Sequence, residues 1–262
     1  MDPRALVAAS LFLVAGCGGG AAAGPRAAEA VLVPPPTAAP VSTTTSASLT
    51  ITVPRNTSSA QRSPHYVSPN STSIAITVVS VNGIAPTIAQ APVNPTIVAL
   101  STAGGGNCTV SPAGETCTVP LPAPTGAVQY TFQLKDSTGN VLARNTVTFT
   151  IAATSSQSFA AVLAGVVASV SVFKPTLQTG TAFSGPITVQ GFDPSGALIV
   201  GGAPYANAFT LTDNDTTSHT SLTVNAVTGK TVTVTSPNDV VILNYDGASE
   251  PPFTITATIP PG

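Results

Sequence analysis

Residues Ser48-Leu49-Thr50-Ile51-Thr52-Val53 alternate polar and apolar, and Ser73-Ile74-Ala75-Ile76-Thr77-Val78 resumes the alternation after a loop, Pro54 to Asn70. A period of two puts successive side chains on opposite faces, so each run predicts a strand with one buried face. The same reading predicts strands at Thr96–Leu100, Cys117–Pro120, Ala127–Leu134, Thr146–Ile151 and Ser158–Leu163. It predicts others at Ala168–Phe173, Pro186–Gln190, Phe209–Thr212, Ser221–Val224, Thr231–Thr235, Val240–Asn244 and Phe253–Ile259. Clusters of Gly, Pro, Asn and Asp separate these runs, as in the sequences of β-sandwiches. No stretch keeps a helical period over the roughly ten residues that a helix requires. The expected fold is all-β.

Seven expected strands in about a hundred residues fit one immunoglobulin-like sandwich. The expected organisation is therefore two tandem Ig-like β-sandwiches, at residues 48–165 and 166–262. An internal echo supports the division. Phe132 to Leu142 and Val189 to Ile199 share a Gln, then Asp-x-x-Gly, then two apolar residues. Physically this is strand, tight turn, strand: Asp136 or Asp193 accepts local backbone hydrogen bonds, and Gly139 or Gly196 takes the positive-φ position.

Ahead of the strands the pattern is different. Arg4 precedes an apolar run from Ala5 to Val14, which is far short of the roughly 20 residues of a membrane span and reads as an export signal, residues 1–16. Leu13-Val14-Ala15-Gly16-Cys17 resembles the lipobox of bacterial lipoproteins, which implies that Cys17 becomes the lipidated first residue of the mature chain. Stable anchoring needs more than one acyl chain, and a second on the new amino terminus would supply it. Residues 17–47 are rich in Pro, Ala, Gly and Thr with almost no aromatic residue, too poor in buriable surface to fold, and read as a disordered tether.

Composition narrows the partners. Only 7% of residues are charged and the formal net charge is −2, so there is no basic field to draw in nucleic acid. With Cys17 set aside, two of the three cysteines remain, Cys108 and Cys117. An even remainder suits an oxidising compartment, and the spacing with Ser111-Pro112-Ala113-Gly114 between them predicts a disulfide across a short hairpin.

Candidate chemistry is sparse. The two histidines, His65 and His219, lie far apart and read as exposed loop residues. No Gly-x-Ser-x-Gly elbow occurs, and Gly18–Gly20 and Gly104–Gly106 lack the Lys-Ser/Thr of a phosphate cradle. Asp193, Asp213, Asp215, Asp239, Asp246 and Glu250 all sit beside turn residues. Asp213-Asn214-Asp215 is the best candidate, since it clusters oxygen ligands of the sort Ca²⁺ takes, with Asp193 or Asp246 as further ligands. It lacks the glycine and distal glutamate of a calcium loop, so the reading adopted is a solvated Asx turn with no metal. The absence of Trp and the presence of only four Tyr weaken a sugar platform, and Tyr66, Tyr130, Tyr205 and Tyr245 read as core-edge residues. No cofactor is expected.

Val189 to Ile199, followed by Tyr205 and Thr210-Leu211-Thr212-Asp213, resembles the Asp-x-x-Gly-turn strands of bacterial Ig-like domains, including those of invasin-type surface proteins. Tyr66-Val67-Ser68-Pro69, the cysteine hairpin and the Val162-to-Val172 junction resemble surface lipoproteins that carry such domains in tandem. The resemblance implies fold, export and non-catalytic use, and carries over no functional residue. The expectation is a non-catalytic protein of the cell envelope, held to a bacterial membrane through Cys17, acting as a structural spacer or adhesion module toward surface proteins or glycans. The alternative is an accessory lipoprotein that binds a carbohydrate or protein ligand.

Overall fold

The computed structural model describes residues 45–54, 67–111, 114–153, 155–249 and 252–261. The expected signal, Cys17 and most of the tether, with His65, Tyr66 and Glu250, lie outside the described residues.

Strands account for all the regular structure described. They are β1 (Ala47–Pro54), β2 (Ser73–Val81), β3 (Thr96–Ala99), β4 (Cys108–Ser111), β5 (Gly114–Leu121), β6 (Gly126–Lys135), β7 (Val141–Ile151), β8 (Gln157–Ala160) and β9 (Ala164–Gly165). There follow β10 (Ser169–Phe173), β11 (Phe183–Phe192), β12 (Phe209–Asp213), β13 (Thr220–Val224), β14 (Val227–Gly229), β15 (Thr231–Val234), β16 (Val241–Tyr245) and β17 (Ile255–Thr258). No helix among the described residues is long and apolar enough to cross a membrane. The protein is all-β.

Four sheets form, in the orders β4-β5-β1-β8, β3-β2-β6-β7-β9, β10-β11-β16-β13-β14 and β15-β12-β17. The first two use only strands up to Gly165 and the last two only strands from Ser169 onward. Pairing is antiparallel except between β1 and β8, where Leu49 faces Phe159 in a parallel register. The alternation in the sequence becomes burial: on β6 Val128, Tyr130, Phe132 and Leu134 are fully buried while Gln129, Thr131 and Gln133 stay half-exposed. Along β12 Phe209 and Leu211 point inward and Thr210 and Thr212 outward.

Aromatic residues fill the first half. The Tyr130 and Phe132 rings stack at 5.7 Å, Phe149 stacks on Phe159 at 4.4 Å, and the Tyr130 hydroxyl donates to the Pro122 carbonyl. Burial pushes the Tyr130 phenol up to about 12. At the edge of the neighbouring sheet, Cys108 lies opposite Cys117 across the β4–β5 hairpin, and the two form a disulfide.

The two echoed segments form the same turn. Asp136 N–H donates to the Asn140 carbonyl and Gly139 N–H to the Asp136 carbonyl, and the Asp193-to-Ala197 turn repeats both bonds. Gly139 and Gly196 have φ of 92° and 82°. Asp136 Oδ1 accepts the amides of Thr138 and Asn140, as Asp193 Oδ1 accepts those of Ser195 and Ala197. The flanks differ. After the first turn β7 runs for eleven residues, whereas after the second only Leu198 bridges back, to Phe192.

Two strands lack a signature in the sequence. β9 has only two residues. β14 follows β13 through Asn225 and Ala226, both at positive φ (49° and 66°), a two-residue hairpin turn with Ala where Gly would advertise it. β1 starts at Ala47, one residue before the expected Ser48, because that methyl is already buried.

Between the first pair of sheets and the second, the Asn207 side chain clasps the connecting backbone. Asn207, 8% exposed, accepts the Val167 amide on Oδ1 (2.8 Å) and donates through Nδ2 to the Val167 carbonyl (3.0 Å). Ala206 N–H donates to Gly165 O, and Asn70 Nδ2 donates to Ser195 Oγ on the echoed turn.

Candidate functional site

The Asp213-Asn214-Asp215 segment leaves β12 at its C-terminal end, where inward-facing positions are core. Asp213 takes such a position, so its carboxylate points inside and not into water. Asp215 N–H donates to Asp213 Oδ1 (3.0 Å), and the Thr217 amide and hydroxyl both donate to Asp215 Oδ1 (2.6 Å each). An Asx turn is present, as the residue types predict. It is not solvated, which corrects that expectation: the side chains of Asp213 and Asp215 are fully buried.

What makes burial tolerable is Lys230, on the short link between β14 and β15. Its Nζ stands 2.6 Å from Asp215 Oδ2 and 3.3 Å from Asp213 Oδ2. Register explains the meeting, because β15 pairs with β12 and the Asp213 amide donates to the Lys230 carbonyl. Thr220 completes the cluster, its hydroxyl reaching both carboxylates and its amide donating to Asp215 Oδ2 (2.9 Å). Burial by itself would raise the Asp215 carboxyl, but the Lys230 ammonium and the Thr217 and Thr220 donors outweigh it and hold Asp215 well below the ordinary carboxylate range. Burial would likewise lower the Lys230 ammonium, and the two carboxylates reverse that and raise it.

The ammonium thus stands where a cation would bind between Asp213 and Asp215. The further oxygen ligands expected for calcium are engaged elsewhere: Asp193 closes its own turn, and Asp246 bonds to His219 and to the Ala248 amide. Among the described residues no three His, Cys, Asp or Glu side chains group as a metal ion requires. Lys230 and Thr220 belong to no local motif in the sequence. One signal was there, since Lys230 is the only lysine or arginine after Lys174, set fifteen residues beyond an Asp-x-Asp.

An open groove of about 520 Å³ lies beside this cluster, on the outward face of β11, β16 and β13. Phe183, Ser184, His219, Ser221, Asn244 and Asp246 line it. His219 was expected as an isolated loop residue, and the structure corrects this: its Nδ1 is 2.9 Å from Asp246 Oδ2, with a third of the imidazole exposed. The Ala248 amide and then His219 hold the Asp246 carboxyl below its ordinary value. A His–Asp pair could orient a base, yet Ser184 on the β11 wall donates to Asn244 Oδ1 (2.8 Å) and so is held by an amide. Asn244 Nδ2 continues the chain of bonds to Thr223 Oγ1, and Thr223 meets Thr228 at 2.8 Å.

The tyrosines that could have formed a sugar platform turn inward. Tyr130, Tyr205 and Tyr245 are buried, and the Tyr245 hydroxyl donates to the Ala248 carbonyl. Burial pushes the Tyr205 phenol up to about 12, against a smaller opposing effect of the Gly191 backbone.

All six described aspartates serve the backbone. Asp136, Asp193, Asp213, Asp215 and Asp246 accept amides as above, and Asp239 Oδ2 accepts those of Thr235 and Ser236 (2.7 and 3.0 Å). No protein-family model matches this chain, no curated protein matches it in sequence, and no solved structure matches it in fold.

Proposed function

We propose that this chain is a non-catalytic protein of the bacterial cell envelope, anchored by lipid on Cys17, with two tandem Ig-like sandwiches serving as a structural spacer or adhesion module. The observation that carries the reading is the use of aspartate. A carboxylate that acts as a base, nucleophile or metal ligand must turn an oxygen toward the substrate or ion, whereas each described aspartate here accepts the backbone amides of a turn. The outward sheet faces agree with it. On β15-β12-β17 the outward positions of two successive ranks are Thr233, Thr210, Thr258 and Thr231, Thr212, Thr256, an uncharged surface of hydroxyls and methyls. Such a face keeps a low-charge protein soluble without a charged field.

The anchor is tested by labelling. Radiolabelled fatty acid should enter the wild-type chain and not Cys17→Ser, and equal labelling of the two would reject it. The groove of Phe183, His219, Asn244 and Asp246 favours the second reading, a glycan-binding accessory protein, because it joins an aromatic ring to amide and carboxylate groups. Melting the protein with a panel of glycans separates the two readings, since ligand bound to the folded state raises the melting temperature with concentration. A rise abolished by Asn244→Ala would establish the second.

A further inference from the structure

The sheet β3-β2-β6-β7-β9 ends at β3, and beside it the chain exposes large apolar side chains in a concentration found nowhere else among the described residues. Ile84, Ile88 and Val93 on the β2–β3 loop are 72%, 84% and 62% exposed, and Ile97 on β3 is 64% exposed. Single exposed apolar residues are ordinary, but four within the stretch from Ile84 to Ile97, along one edge of a sheet, mark a candidate interaction surface. On β3 itself Val98 packs against the core while Ile97 faces outward, so the exposure follows from the register and not from a frayed end.

The loop that carries the isoleucines is held in shape by its own bonds. Asn82 and Gly83, at φ of 52° and 79°, make a tight turn closed by paired bonds between Val81 and Ile84. The Gln90 side chain accepts the Thr87 amide, and Gln90 and Ala91 donate back to the Thr87 carbonyl. Asn94 then clasps Val78, accepting its amide and donating to its carbonyl at 2.9 Å each, where a strand partner would otherwise pair. Ile88 is presented on a formed structure, so docking it requires little ordering of the chain.

We propose that β3 and the β2–β3 loop form a homotypic docking surface, on which a second copy of this chain pairs its own β3 antiparallel about a two-fold axis. Three observations choose this occupant. Among the described residues no strand pairs with the outer edge of β3, so its backbone amides and carbonyls call for a strand, which a bilayer cannot offer. The edge also lacks the charges that usually blunt such strands: no Asp, Glu, Lys or Arg occurs between Arg62 and Glu115. A two-fold contact sets a patch against its own copy, where any charge would meet its like, and an uncharged patch is the kind that is complementary to itself. On the outward face the nearest charges, Lys135 and Arg144, stand on β6 and β7, behind β2.

This proposal goes beyond the reading of the chain as an envelope module, and a monomeric protein would remove the surface while leaving that reading intact. The test is sedimentation velocity on the full chain carrying Cys17→Ser, across concentration and salt, with Ile97→Lys and Ile88→Lys as variants. Both positions are exposed, so both variants should fold, and an unchanged melting temperature checks this. The expected result is a dimer that persists at high salt and whose dissociation constant rises at least tenfold in each variant. Val110→Lys, on the separate edge strand β4, should leave the dimer unchanged. A monomer at every concentration, an open-ended polymer, or association indifferent to both variants would overturn the proposal. So would a monomer that sediments with phosphatidylcholine vesicles through Ile88, which would make the patch a lipid contact.

Discussion

The two halves of this molecule solve the same problem with opposite chemistry. Each is a pair of small sheets with an edge to fasten and a core to fill. The first half uses stacked aromatic rings on β6, β7 and β8 and a covalent bond between β4 and β5. The second buries two carboxylates under one ammonium, between β12 and the start of β15. A disulfide constrains chiefly the unfolded chain and asks little of its surroundings. A buried ion cluster costs desolvation that only good geometry offsets, so it specifies the arrangement around it more than it adds net stability. The first half should therefore fail on reduction and the second on acid or on loss of one partner.

The largest effect should come from breaking the ion cluster. Asp215→Ala leaves Lys230 with Asp213 alone and strands the Thr217 and Thr220 amides, and a loss of about 3 kcal/mol is expected. Urea unfolding measures it. Replacing all three charges together, as Asp213→Leu, Asp215→Leu and Lys230→Met, should cost less than the single change, and a larger cost would show that the cluster stabilises the fold outright. The pH dependence has a definite sign. Asp215 titrates lower folded than unfolded, so its contribution is complete above about pH 4, where an unfolded aspartate is ionised. It erodes as pH falls from there through the depressed folded value. Hydrogen exchange should show β12 and β15 opening first on acidification, and protection that is unchanged from pH 7 to pH 2 would contradict the assignment.

Removing the cross-link comes next. Cys108→Ala should lower stability by about 2.5 kcal/mol on the chain-entropy account of so short a loop. The same loss should follow a reductant in the wild type and be absent in the variant. A reductant effect on the variant would mean that the covalent bond is not what holds β4 to β5.

The smallest effect sharpens the comparison from inside the second half. Ala226 sits at φ 66°, in the region that L residues avoid, and no atom of a glycine would be strained there. Ala226→Gly should stabilise by about 0.5–1 kcal/mol, after allowing for the extra freedom that glycine has when unfolded. Thermal melting would show it, and a loss would indicate that the alanine methyl has a packing role.

Much of this architecture was legible in the residues, and the reasons differ by feature. Strands with one wet face, such as β6 and β12, print their burial directly as alternation. The Asp136 and Asp193 turns were readable because every bond in them is local, from a carboxylate to amides two and four residues on. The alternation marks β7 only from Thr146, because its first residues, Val141-Leu142-Ala143, are apolar in succession and two of them are buried. β14 was hidden by an alanine doing a glycine's work. At the candidate site the residue types led to Asp213 and Asp215 but to the wrong surroundings.

The sequence by itself determined what depends on neighbours in the chain: the period of the strands, the turns, the pairing of Cys108 with Cys117 across a hairpin, and the scarcity of free charge. Tertiary structure alone decided what depends on register between distant strands. Pairing β15 against β12 brought Lys230 onto two carboxylates and turned a calcium-like triplet into an internally paired ion cluster. β16 brought Asp246 to His219, and the folding back of Asn207 fastened Val167. A one-residue slip in any of those registers would send each of these side chains to the opposite face. Such meetings are set by the pairing of whole strands, and no local pattern records them.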